Sequence, residues 1–263
     1  MMVENIFVER VGSIANVIFD RPEKRNAINY EDWHKLGDIV RDLSVDDEIR
    51  VVIFTGKEDS SFSAGADITD FGERRNNSRQ AALYQEAFDK ALDAIESLQI
   101  PTIAKIKGTC IGGGCELTLA MDIRIAADNA KFGIPAARLG IVIGYQEMRR
   151  LVAMIGPGNA SYLLMSGRLI DASTALHFGL VNSVLSLSSI DEYVTELAVE
   201  ISRLAPLSHK QHKYILQRVL MDPQLLNMSS EDRKIPFDNF DSDDFHEGYK
   251  AFQDRRNPVF KGR

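Results

Sequence analysis

The chain of 263 residues carries a formal net charge of −7 and has an isoelectric point near 5.3. That acidic balance argues against a nucleic-acid binder, whose electrostatic footprint is basic, and the lack of any run of about eighteen apolar residues argues against a membrane-spanning helix. The length allows a sizeable core, and the stretch from Met1 to Ile6 has neither the basic start nor the apolar run of a secretory leader, so a cytoplasmic location is expected.

Taken in chain order, residues 6–10 and 15–19 read as short strands. Residues 30–43 then place Trp33, Leu36, Ile39, Val40 and Leu43 at three- and four-residue spacing, which is one apolar face of a helix. A strand over 51–55 leads into the small-residue turn Phe62-Ser63-Ala64-Gly65-Ala66-Asp67-Ile68. The polar stretch 74–79 is expected to be a mobile loop beside the site. A helix over 80–98 turns Leu83, Phe88, Leu92, Ile95 and Leu98 inward. A strand over 102–106 feeds a second turn, Ile111-Gly112-Gly113-Gly114-Cys115-Glu116-Leu117, which opens a short helix over 113–121, and a strand follows over 123–126. Beyond Gly144 only helices are predicted, over 146–154, 159–164, 173–177, 190–204, 207–220 and 245–254. Strands alternating with helices give an α/β class with a mostly parallel sheet.

The two small-residue turns carry the chemistry. Each follows a strand-like run and can aim one backbone N–H at a shared oxygen, the geometry that stabilises an oxyanion, and small residues there let a substrate approach the backbone. Glu116 lies in the first turn of the helix that begins at Gly113, where the helix dipole favours a carboxylate. It is the candidate general acid/base, with a capping role as the alternative. Cys110 and Cys115 flank the glycine turn and read as reduced thiols. His209 and His212 stand three apart on a predicted helix without a third ligand, so no metal site is expected.

Six segments in order resemble the crotonase superfamily, the enoyl-CoA hydratase/isomerase group. They are Phe19 to Ile28, the two turns, Phe132-Gly133-Ile134-Pro135, Gly167 to Asn182, and Glu247 to Gly262. The resemblance implies a crotonase-like ββα spiral core over 1–195 and a C-terminal helical region over 196–263, together one functional unit. It implies an acyl-CoA thioester as substrate with no further cofactor, and a homotrimer or a dimer of trimers. It assigns the oxyanion donors to the N–H groups of Ala66 and Gly113 and gives Glu116 the water that adds to the β-carbon of an enoyl thioester. Residues Lys24, Arg25, Ala27, Ala64, Asp67, Ile68, Gly112, Phe260 and Lys261 match positions that hold or border the CoA moiety. The leading expectation is hydration or dehydration of a 2-enoyl-CoA. Isomerisation, decarboxylation or hydrolysis of an acyl-CoA, or acyl-CoA binding without turnover, are the alternatives.

One departure bears on the reaction. Hydratases of the family usually carry a second glutamate directly after the Phe-Gly-x-Pro proline, where this chain has Ala136, which cannot move a proton. The segment that follows reads Ile143-Gly144-Tyr145-Gln146-Glu147-Met148, so Glu147 and Tyr145 become candidates for the missing acid/base group. Glu147 equally suits a helix cap paired with Arg150 at i+3.

Overall fold

The computed structural model describes residues 4–263; the first three residues of the stretch read for a leader lie outside them. Strands β1 (Ile6–Val11) and β2 (Ile14–Phe19) form an antiparallel hairpin, and helix α1 (Tyr30–Ser44) follows, capped by Asn29, which accepts from the Asp32 N–H at 2.8 Å. Next come β3 (Val51–Gly56), β4 (Ser61–Ser63), the one-turn α2 (Phe71–Arg74) and the long α3 (Ser78–Ser97). Then β5 (Thr102–Ile106), β6 (Thr109–Ile111) and α4 (Gly113–Thr118) precede β7 (Ile123–Ala127) and β8 (Lys131–Gly133).

A single ordering repeats three times along this stretch. A strand enters a six-stranded sheet, β1-β2-β3-β5-β7-β10 with β10 at Ser183–Leu185, and a three-residue strand then steps into a four-stranded sheet, β4-β6-β8-β9 with β9 at Ile170–Asp171. All pairings from β2 onward in the larger sheet are parallel, which is why β3 is buried from Val51 to Thr55 instead of alternating. The expected α/β spiral is therefore present, with the small-sheet strands β4, β6 and β8 added.

One expectation about the second half is corrected. The segment after Gly144 is not only helical, because β9 (Ile170–Asp171) closes the small sheet and β10 (Ser183–Leu185) the large one. The two helices predicted over 146–154 and 159–164 are present as the two halves of α5 (Tyr145–Ser166), parted where Gly156 takes φ 72° just before Pro157. The chain continues through α6 (Ala172–Phe178), α7 (Ile190–Ser202), α8 (Pro206–Met221), α9 (Ser230–Asp238), which the periodicity did not reveal, and α10 (Asp243–Asp254). The boundary read at 195/196 falls inside α7.

The core has two parts. On one side of the large sheet, Trp33, Leu36, Phe88, Leu92 and Ile95 of α1 and α3 pack with Phe54, Phe62 and Phe132; on the other, α7 lays Ile190, Val194 and Ala198 over Val51, Ile53, Ile103 and Ile125. Leu83, expected inward on α3, is instead exposed. The predicted loop over 74–79 shrinks to the three residues between α2 and α3. No helix among the described residues is long and apolar enough to cross a membrane.

Candidate active site

The first turn is built by the loop over 21–28, which is stitched to β4. Asn26 is buried in a left-handed conformation (φ 56°), and its amide donates to the Ser61 carbonyl at 2.7 Å while the Ser63 hydroxyl donates to the Asn26 carbonyl at 2.7 Å. Beyond it, the Ile28 N–H donates to the Gly65 carbonyl at 2.8 Å and the Asp67 N–H to the Ile28 carbonyl at 2.9 Å. A parallel bridge of this kind uses alternate groups, so the Ala66 N–H between them points away from the bridge.

The second turn presents its N–H at a helix start. Gly112 takes φ 55° and donates to the Gly133 carbonyl at 2.8 Å, which leaves Gly113 as the first residue of α4, where N–H groups have no partner within the helix. The two turns meet backbone to backbone. A Cβ on Gly113 would lie 3.4 Å from the Ala66 nitrogen. Among the described residues, neither the Ala66 nor the Gly113 N–H has a protein acceptor, and both residues line one cavity.

That cavity contains about 830 Å³ of empty space, and both candidate carboxylates reach it. Glu116, in the first turn of α4, is 8% exposed; burial, reinforced by the charge of Glu147, pushes its carboxyl up to about 8. Glu147, in the first turn of α5, is 1% exposed; burial and then the neighbouring Asp89 raise it as well. The Gln85 amide donates to Glu147 Oε2 at 3.3 Å and to Asp89 Oδ1 at 2.7 Å, so it spans the two carboxylates. Glu147 Oε1 is buried without a hydrogen-bond partner, with Arg150 Nη1 3.8 Å away. Arg150 is committed elsewhere: it donates to Glu96 at 2.7 Å and to Asp93 at 2.5 Å. The i+3 pair foreseen for Glu147 therefore exists only as a long ion pair. Gly144 explains the local sequence, because a Cβ there would run into the Glu147 carboxylate.

Ala64, Ala66, Ile68, Gly112, Gly113, Glu116 and Glu147 are thus brought together, and Ala136 lies on the same wall. Tyr145 is not: it is 97% exposed and outside the lining, because the first turn of α5 points its residues in different directions. Lys24 and Arg25 are exposed on the loop over 21–28, and Ala27 on that loop accepts from Arg21 through its carbonyl. Asp67 is buried beside the cavity without lining it. Burial raises its carboxyl, but the bonds from Thr69 and the Arg21 guanidinium, 2.7 Å away, outweigh this and hold it below the usual range. Phe260 and Lys261 lie at α10, where the Lys261 N–H donates to Asp244 at 2.7 Å, and neither lines this cavity.

Gln85, Arg75, Arg21 and Asn26 escaped the sequence reading. Gln85 sat unremarked on an amphipathic helix, and Arg75 was absorbed into a polar stretch. Arg21 and Asn26 were visible only as parts of a motif, since nothing local signals a buried asparagine that laces two loops. Both cysteines are free and buried, and burial pushes the Cys110 thiol well up. Among the described residues no group of three or more His, Cys, Asp or Glu is arranged to hold a metal.

Comparison with known proteins places this geometry among relatives. The enoyl-CoA hydratase/isomerase family matches residues 9–263. A short-chain-enoyl-CoA hydratase of Clostridium acetobutylicum is 35% identical over 83% of each chain, and a crotonyl-CoA hydratase of Syntrophomonas wolfei is 33% identical over 99% of each. A carnitinyl-CoA dehydratase of Citrobacter koseri is 35% identical over the full length of both. Among solved structures, an enoyl-CoA hydratase/carnithine racemase from Magnetospirillum magneticum superposes with a TM-score of 0.96 at 36% identity, covering 100% of this chain and 97% of its own.

Proposed function

Since the chain belongs to the enoyl-CoA hydratase/isomerase family of the crotonase superfamily, we propose that it adds water across the double bond of a short 2-enoyl-CoA and runs the reverse dehydration. The observation that carries this reading is that two unpaired N–H turns and two buried carboxylates share one cavity.

In the proposed reaction the thioester oxygen sits against the N–H groups of Ala66 and Gly113. Glu116 takes a proton from water as the water oxygen bonds to C3, and the double-bond electrons move onto the thioester as an enolate held by the two donors. Glu147 then gives its proton to C2 and the enolate returns to the thioester. The proton lost by Glu147 is matched by the one Glu116 gained. Glu147 thereby takes the part that a carboxylate at Ala136 would have played. Burial raises both carboxyls, to about 8 at Glu116 and about 7 at Glu147, so a singly protonated pair is populated near neutrality; Glu116 holds that proton more tightly, and the reaction draws on the alternative form in which Glu116 is ionised and Glu147 protonated. The scheme is an addition of water with two proton transfers and no oxidant or reductant, so the acyl-CoA is the one organic group it calls for, without a further cofactor.

We place Lys24, Arg25 and Asp67 with the CoA moiety, Lys24 and Arg25 as exposed cations and Asp67 as the brace of the loop. The same proposal extends to a homotrimer or dimer of trimers in the cytoplasm. It is supported by apolar side chains left exposed on and beside the last helices, including Leu216, Met221, Leu226, Phe237 and Phe252, which a neighbouring copy would cover. The deciding experiment is incubation with crotonyl-CoA in heavy-oxygen water. A labelled 3-hydroxyacyl-CoA is expected, and its absence against a no-enzyme control would overturn hydration of this substrate.

A further inference from the structure

The cavity has a cation that the proposed reaction leaves unused. Arg75 follows α2, and among the described residues it is the one Lys or Arg that lines the cavity. Its guanidinium lies 4.7 Å from the ring centroid of Phe71 and 4.8 Å from that of Tyr84, so two aromatic faces hold it. Tyr84 is itself fixed, accepting from Trp33 Nε1 at 3.0 Å. Yet Arg75 makes no ion pair and no side-chain hydrogen bond among the described residues, whereas its neighbour Arg74 pairs with Glu31 at 2.7 Å. The planar donors of the guanidinium are oriented and unspent.

Position gives this cation a use. Arg75, Phe71, Gln85, Leu139 and Val142 line the inner cavity and also an outer recess that adjoins it. An acyl thioester with its oxygen at Ala66 and Gly113 and its C3 at Glu116 and Glu147 would continue along the lining toward this junction. There the walls are apolar except for the Gln85 amide and the guanidinium. Gln85 is already donating to Glu147 and Asp89, which leaves Arg75 as the free donor.

We infer that Arg75 selects thioesters whose acyl group ends in a carboxylate, that is, mono-CoA esters of unsaturated dicarboxylic acids. A carboxylate accepts two parallel N–H bonds from a guanidinium, and an arginine held beside two aromatic rings has that fork available. The buried carboxyls nearby do not cancel this attraction, because burial keeps at least part of the pair protonated near neutrality. An acyl group bearing a quaternary ammonium would meet like charge at the same point. The inference deepens the acyl-CoA reading of the cavity and rests on it.

The test uses two saturated five-carbon ligands that do not turn over, glutaryl-CoA and pentanoyl-CoA, with affinities measured by calorimetry on the wild type, Arg75→Gln and Arg75→Lys. The wild type is expected to prefer glutaryl-CoA, and the ratio of affinities should fall by about tenfold or more in Arg75→Gln while Arg75→Lys keeps part of it. No preference in the wild type, or an unchanged ratio in Arg75→Gln, would overturn the inference; an equal loss for both ligands is the second case and would assign Arg75 to the CoA phosphates common to both. These affinities do not depend on turnover. A protein that hydrates nothing but keeps an Arg75-dependent ratio would overturn the hydratase reading and sustain this one.

Discussion

Gly65 and Gly113 hold the two turns of the active site in register: a Cβ on Gly65 would lie 2.6 Å from the Gly113 nitrogen and 2.7 Å from the Ile111 carbonyl oxygen. No other residue type fits, because Gly65 also has φ 88°, a conformation that side chains oppose. The close approach brings the Ala66 and Gly113 N–H groups to the same wall of the cavity.

Gly65→Ala should therefore push the turns apart and cost activity more than stability. Losing one aligned oxyanion donor lowers kcat by roughly a hundredfold or more. Steady-state kinetics with crotonyl-CoA beside a thermal melt would check this. A variant with near-normal kcat would show that the contact is structural only.

The two glutamates should separate by reaction. Glu116→Gln is expected to lose at least about a hundredfold in hydration, while Glu147 continues to exchange the C2 proton of butyryl-CoA with deuterium oxide. Glu147→Gln should lose hydration and C2 exchange together. The opposite pattern, measured by mass spectrometry, would exchange the roles of the two residues.

The pH dependence of hydration follows from the upward shifts at both carboxyls. Activity should rise as one member of the pair ionises, above the ordinary carboxylate range, and fall again near about 8 when the second proton leaves. A bell in kcat/KM is expected whichever glutamate holds the shared proton. A profile flat between pH 6 and 9 would contradict an acid/base pair at this site.

Glu116 also imposes a stability cost whose sign is fixed. Its carboxyl binds a proton more tightly folded than unfolded, so stability is greatest below the unfolded value near 4.5 and declines as pH rises toward about 8. Gln at this position has no charge to bury. Glu116→Gln should match the wild type near pH 4.5 and melt higher, by roughly a few degrees, near pH 8. Equal melting temperatures at pH 8 would mean that Glu116 is better solvated than its burial indicates.

Asp67 is expected to act through the loop it braces. Asp67→Ala removes the nearer of the two carboxylates that pair with Arg21 and both acceptor bonds from Thr69, and losing such buried charge-assisted contacts typically costs about 1 to 3 kcal/mol. The Tm should drop and KM for the CoA thioester should rise as the Ala66 turn loosens. A loss confined to kcat with an unchanged Tm would point to direct contact with the reacting atoms.

Much of this was legible in the amino-acid order, because it depends on neighbours along the chain. Apolar spacing at Trp33, Leu36 and Val40 set the face of α1, and the glycines of 112–114 marked a turn where a backbone had to come close. Helix position alone put Glu116 beside Gly113. Three-residue strands such as β4, β6 and β8 carry too little periodicity to be seen, and β9 and β10 were hidden among helices for the same reason. Only the tertiary structure set Tyr145 and Glu147, two residues apart on one helix, in different surroundings, by turning one to solvent and burying the other against Gln85. It also decided what Arg75 faces. Sequence determines which groups are available and their local spacing, whereas burial, the pairing of charges and the meeting of segments far apart in the chain are properties of packing, which no local pattern encodes.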